Sequence, residues 1–209
     1  LLFIGGVCSA QKLPIRIGTG VSDTVWNTWS STNKCASCLV YNGGLSATAP
    51  ASFGFGTGVI GKSSGKWYYE VRIDTTSGFE IVGIINRVAT STDQGAAGFQ
   101  LGQPNASVGF RGTAYCVRRN FGSGSLNIGS GCTAQSVGQW IGVALDLDAS
   151  TINFYVNGTL QTNAALSGVP AGTWYACYGG GSGRQAVTAN FGQSAWNYAP
   201  PSGFVGWYQ

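Results

Sequence analysis

Residues 66–74 read KWYYEVRID, and their side chains alternate. Trp67, Tyr69, Val71 and Ile73 fall on one side of an extended chain, and Lys66, Tyr68, Glu70, Arg72 and Asp74 on the other. A period of two is the signature of a strand with one buried face. It recurs in WIGVALDLD (140–148) with Ile141, Val143, Leu145 and Leu147, in TINFYVN (151–157) with Ile152, Phe154 and Val156, and in AVTANFG (186–192) with Val187, Ala189 and Phe191. FEIVGII (79–85) is apolar on both faces, as a central strand would be. Turn chemistry separates these runs. DAST (148–151) is expected to place Asp148 against its own turn backbone, NG at 157–158 signals a tight hairpin, and GGGSG (179–183) is a glycine loop. Charged residues are only 9% of the chain, against roughly 25% in an average soluble domain. With 34 glycines and no amphipathic helical pattern, the expectation is all-β: one β-sandwich that starts after about residue 20. An apolar leader or packing arm (1–20) precedes it, APPSGF (199–204) closes it, and 206–209 reads as a short tail.

The arm begins LLFIGGVCSA, far shorter than the roughly 20 residues of a membrane span. CSA before Gln11 is cleavage-like, but a buried strand or an arm packed on a neighbouring subunit is the preferred reading, because an exposed LLFIGGV invites aggregation. The formal net charge is +4, and among the basic residues only Arg118 and Arg119 are adjacent. No basic stripe interleaved with aromatics is present, so nucleic acid is not an expected partner.

Six cysteines occur, Cys8, Cys35, Cys38, Cys116, Cys132 and Cys177, and an even count permits three disulfides. Cys116 and Cys132 flank one Gly/Ser-rich stretch and are the first candidate pair. CASC (35–38) lacks a second C-x-x-C or any histidine to complete a zinc site; a structural disulfide or free thiols are expected there. No metal or cofactor is expected.

Histidine is absent, which removes Ser-His-Asp and Cys-His catalysis. GTGVIGKS (56–63) satisfies G-x-x-x-x-G-K-[ST], which in a P-loop would set Lys62 on phosphate and Ser63 on magnesium. That chemistry needs a helix N-terminus, and a strand follows here. SSGK (63–66) lacks the further motifs that accompany a serine–lysine nucleophile. The remaining chemistry is carboxylate chemistry, from Asp23, Glu70, Asp74, Glu80, Asp93, Asp146 and Asp148. Glycoside hydrolysis needs two carboxylates facing one bond. Glu70 and Asp74, with Arg72 between them, read better as a charge-balanced polar strand face. Asp146 and Asp148 read as a strand end and a turn. Asn105 and Asn157 head glycosylation sequons, and the second is explained by its turn.

Four stretches together resemble the SPRY (B30.2) domain: GKWYYEV (65–71), IGVALDLDASTINFYVNG (141–158), TWYACYG (173–179) and VTANFGQSAWNYAPPSGF (187–204). They follow that family's order, from a Gly-Lys-aromatic-aromatic-Glu strand through a Phe-Tyr-x-Asn-Gly hairpin to Asn-Phe-Gly and a Pro-Pro-x-Gly-Phe end. YAC in place of Tyr-Pro-Ala, Trp196 in place of a common Phe, the cysteines, and long loops at 86–98 and 111–137 depart from it. The style is similar to SPRY-like domains of bacteriophage tail and virion proteins. The resemblance covers 21–205 and implies a bent, antiparallel two-sheet, concanavalin-like jelly-roll β-sandwich without catalytic activity, binding partners through loops at one edge. Trp67, Tyr69, Asp146, Phe154, Tyr155, Gly158, Asn190, Phe191 and Gly192 carry over as scaffold.

The resulting expectation is a noncatalytic binding or structural module on a virion surface or tail fibre, or otherwise extracellular. It would assemble with other virion or fibre subunits, or recognise a host receptor, protein or glycan. A glycan-binding or glycan-hydrolysing sandwich and a cellular peptide-binding adaptor are the alternatives. The binding candidates are loop aromatics and arginines of the kind enriched at hot spots: Tyr115, Arg118, Arg119 and Phe121, then Tyr178 and Arg184 around the glycine loop, and Trp26 and Trp29 near the domain start.

Overall fold

The computed structural model describes residues 24–50, 54–76, 81–92, 107–112, 115–121, 124–181 and 183–209. The 1–20 arm with Cys8, the acids Asp23, Glu80 and Asp93, and the Asn105 side chain lie outside them. The strands are β1 (Trp29–Lys34), β2 (Leu39–Tyr41), β3 (Ser46–Ala49), β4 (Gly54–Lys62), β5 (Lys66–Thr75), β6 (Ile81–Ile85), β7 (Ser107–Phe110), β8 (Val117–Asn120), β9 (Ser125–Ile128), β10 (Trp140–Asp146), β11 (Thr151–Val156), β12 (Thr159–Leu160), β13 (Leu166–Ser167), β14 (Trp174–Gly180), β15 (Gln185–Asn190) and β16 (Val205–Gly206). Single 3-10 turns occupy Asn42–Gly44 and Thr162–Ala164, and no α-helix occurs among the described residues.

Two sheets form. The seven-stranded sheet runs β1-β4-β14-β6-β7-β8-β9, and the nine-stranded sheet runs β12-β11-β10-β5-β15-β3-β2, with β13 beside β11 and β16 beside β5. The pairing is antiparallel except for β16, which lies parallel to the start of β5. The alternating runs explain the stacking. Tyr69, Val71, Ile73, Ile141, Val143, Leu145, Ile152, Phe154, Val187, Ala189 and Phe191 meet Val82, Ile84, Val108, Phe110, Val117, Trp174 and Tyr178 in one core. Phe110 of one sheet stacks on Phe154 of the other at 5.5 Å between centroids.

The sequence expectation needs correction in four places. Tyr68 and Glu70, on the expected polar face of β5, are buried, because residues after β15 fold back over that face and set Trp196 against Tyr68. Residues 111–137 are not one loop, since they contain β8 and β9. Gly179 and Gly180 belong to β14 rather than to a glycine loop. Finally, 206–209 is no tail. Trp207 is buried and donates from Nε1 to the Ile60 carbonyl at 2.8 Å, and Gln209 exchanges backbone hydrogen bonds with Val25.

Candidate functional site

The described carboxylates are occupied by the fold. Glu70 Oε1 accepts from Asn190 Nδ2 (3.1 Å), the Asn197 amide (2.7 Å) and Asn197 Nδ2 (3.0 Å), and Oε2 accepts from the Tyr198 amide (3.2 Å). It therefore anchors the returning segment and shares nothing with Asp74, which accepts from Arg72 Nε and Thr188 Oγ1, each at 2.6 Å. Asp146, not Asp148, caps the β10–β11 turn, accepting from the Asp148 and Ala149 amides at 3.1 and 2.9 Å. Asp148 instead reaches the Gly65 amide at 2.8 Å. This exchange corrects the expectation: a side chain that ends a strand points straight along its own turn, as an Asx turn requires. Lys66 pairs with Asp146 at 2.8 Å. Burial alone would raise the Asp146 pKa, but the Lys66 hydrogen bond and charge, with the two amides, hold it below the usual range.

The P-loop-like stretch carries no phosphate cradle, because residues 56–62 lie within β4, an extended strand paired to β1 and β14. Lys62 turns back on the fold, with Nζ 3.6 Å from the Trp67 ring centroid and donating to the Tyr208 carbonyl. Cys35 joins Cys38 and Cys116 joins Cys132 in disulfides. Cys177 is a free, buried thiol beside Phe55, Ile85 and Ala89, its pKa pushed up by burial. Among the described residues no group of three His, Cys, Asp or Glu side chains is placed to hold a metal. No described helix is long and apolar enough to cross a membrane.

The sequence-derived binding candidates separate. Trp29 and Tyr178 are each 1% exposed, with rings 5.0 Å apart and Phe191 also 5.0 Å from Trp29. They are core side chains, since the pleat turns them inward. Trp26 is half-buried and packs edge-on against Tyr208 at 5.1 Å. Arg118 and Arg119 sit on β8, not on a loop, and both are half-buried. Arg119 covers the Phe121 ring at 5.0 Å, and Phe121 packs edge-on against Trp174. Tyr115 accepts a hydrogen bond from Arg111, whose guanidinium lies over its ring. Arg184 is exposed between β14 and β15. So Tyr115, Arg118, Arg119 and Phe121 do share the β7–β9 end of one sheet, while Arg184, Trp26, Trp29 and Tyr178 do not join them.

A concave site lies elsewhere. β1 is the edge of the seven-stranded sheet and β2 the edge of the nine-stranded one. Only residues 35–38 connect them, turning between the sheets with Cys38 N donating to Cys35 O at 3.0 Å. Between the two edges opens a groove of about 470 Å³ lined by Thr28–Asn33, Val40, Tyr41, Gly43, Gly44 and Val59. The β1 wall is irregular. Trp29 pairs with Gly58 and Lys34 with Gly56, so five steps along β1 face two along β4. The slack is a bulge. Ser30 Oγ holds it, accepting from the Thr32 and Asn33 amides at 3.2 and 2.8 Å. The facing wall carries Tyr41, 48% exposed, and Val59 on β4 is 55% exposed. Gly44 adopts φ +86°, and any side chain there would strike Thr28, so glycine lets this turn close on β1. Of the sequence-derived candidates only Trp29, its ring buried, falls in this lining; sequence reasoning missed the other lining residues. The available signal was the loss of alternation in WSSTNK immediately before a cysteine-bounded corner.

Comparison with known proteins follows these elements. A family model described as SPRY domain matches residues 66–194, from β5 to just past β15. No curated protein matches the sequence. Similar solved structures include the SPRY domain of human HERC1, at 20% identity and a TM-score of 0.60 over 80% of this chain and 99% of that one. The TRIM65 PSpry domain is similar at 14% identity and a TM-score of 0.55, over 78% of this chain and 91% of that one. These likenesses share the stacked-sheet fold, and because the family model spans more than half of the sequence and includes the strands at the centre of both sheets, the chain belongs to the SPRY domain family.

Proposed function

We propose that this SPRY domain is a noncatalytic binding module that engages its partner in the groove between β1 and β2. The observation carrying the reading is that groove, the meeting point of two sheet edges, with apolar Tyr41 and Val59 exposed beside a hydroxyl-rich wall. Concave sites that mix exposed aromatic or apolar surface with a few polar groups are where ligands bind. The described carboxylates support a role without turnover, since each is consumed by a structural contact.

The domain works at the surface of a virion, tail fibre or other extracellular assembly, beside further subunits, in attachment or receptor recognition. Its two disulfides support this setting, because such bonds persist in oxidising surroundings and are rare in the cytosol.

Site-specific photo-crosslinking in the native assembly tests the groove. A photoreactive residue replacing Tyr41 should give one discrete adduct, absent when the probe replaces Val205, which is exposed outside the groove. Equal adducts from both positions, or none from position 41, would contradict the reading. Fully reduced cysteines in the native material would favour a cellular adaptor instead.

A further inference from the structure

Resting on that reading, we infer that the groove takes a neutral oligosaccharide. Its lining holds no Lys, Arg, Asp or Glu. The nearest cation in sequence, Lys34, is committed to the Cys38 carbonyl at 2.6 Å. A phosphate, sulfate, carboxylate or ammonium group placed here would lose water and gain no counter-charge.

What the walls offer is matched to a polyol. Thr28, Ser31, Thr32 and Asn33 supply hydroxyl and amide groups, Ser31 and Thr32 from exposed positions. A hydroxyl both donates and accepts, so it suits another hydroxyl in either direction, as sugar recognition demands. Opposite stand the half-exposed Tyr41 ring and Val40, with Val59 nearby. A flat aromatic face fits the C–H face of a pyranose ring. Gly43 leaves open space where a side chain would project.

An extended peptide fits less well. Adding a strand to a sheet edge needs a regular row of backbone donors and acceptors. β1 breaks its ladder over residues 30–33, and Ser30 Oγ takes the Thr32 and Asn33 amides. Recognition on the β1 wall must run through side chains, and β2 offers an edge of only three residues.

The test is amide NMR titration of the intact chain with maltohexaose, cellohexaose, laminarihexaose, mannohexaose and chitohexaose. Hexagalacturonate and a neutral Ser/Thr/Gly-rich peptide serve as comparators. At least one neutral sugar should shift amides of residues 28–33 and 40–44. Tyr41→Ala should weaken that sugar by roughly tenfold, the effect of losing one aromatic platform, and leave the melting temperature unchanged. Thr32→Ala, which removes an exposed hydroxyl, should weaken it less. Shifts confined to other surfaces, no shift with any neutral sugar, or binding by the peptide or hexagalacturonate alone would overturn the inference. If position 41 still crosslinks in the native assembly, the groove remains the binding site and only the sugar is wrong. If it does not, both fall.

Discussion

Glu70 shows how much a single side chain can be asked to hold. Its carboxylate is fully buried and receives four hydrogen bonds from Asn190, Asn197 and Tyr198. Glu70→Ala would take one acceptor from the buried Asn190 amide and release the 197–198 backbone from β5, and hydrogen bonds to a buried charge are expensive to leave unmade. The expected loss is roughly 3 kcal/mol, read from urea unfolding. Asp146 gives a pH signature. Its pKa is depressed in the folded state, so its contribution is complete above the unfolded value of about 4 and is lost as pH falls through the folded value. The melting temperature should therefore drop below about pH 4, and Asp146→Asn should lower it at neutral pH while flattening the acid limb. Such roles were only half legible. The turn around 146–149 could be read from DAST, but not which aspartate caps it. Trp29 and Tyr178 read as candidate contacts because residue type speaks for interfaces and cores alike, and only the pleat tells them apart.

At the scale of elements, strands with a strict period of two were legible to within two residues at each end. β5, β10, β11 and β15 each bury the face that alternation assigns. What escaped was local irregularity. WSSTNK carries no alternation because β1 bulges, and β16 is too short to have a period. The outer face of β5 looked polar because a segment more than a hundred residues later covers it. The disulfides act on elements too. Cys116–Cys132 spans 16 residues and ties the segment after β9 to the start of β8, whereas Cys35–Cys38 spans three at the β1–β2 corner. A longer closed loop restrains the unfolded chain more. Replacing both cysteines of the first pair by serine should cost roughly 3 kcal/mol and of the second roughly 2 kcal/mol, measured by denaturation with and without reductant. The shorter pair should nonetheless have the larger effect on amide exchange in residues 28–34 and 39–44, since it sets the distance between the groove walls.

The molecule as a whole is a sandwich whose reactive-looking residues are turned to holding it together, leaving edges and concavities to meet partners. Sequence made the stacked sheets and the family legible through core and turn motifs. It could not reveal the groove, because that site is built from two edges belonging to different sheets and from neutral hydroxyl, amide and apolar residues that no motif marks. The measurement that tests this account most directly is hydrogen exchange on the chain free and in its native assembly. Protection should gather in residues 28–33, 40–44 and around 59, with little change at 115–121. Protection gathered at 115–121 instead, with the β1–β2 groove exchanging as in the free chain, would contradict it.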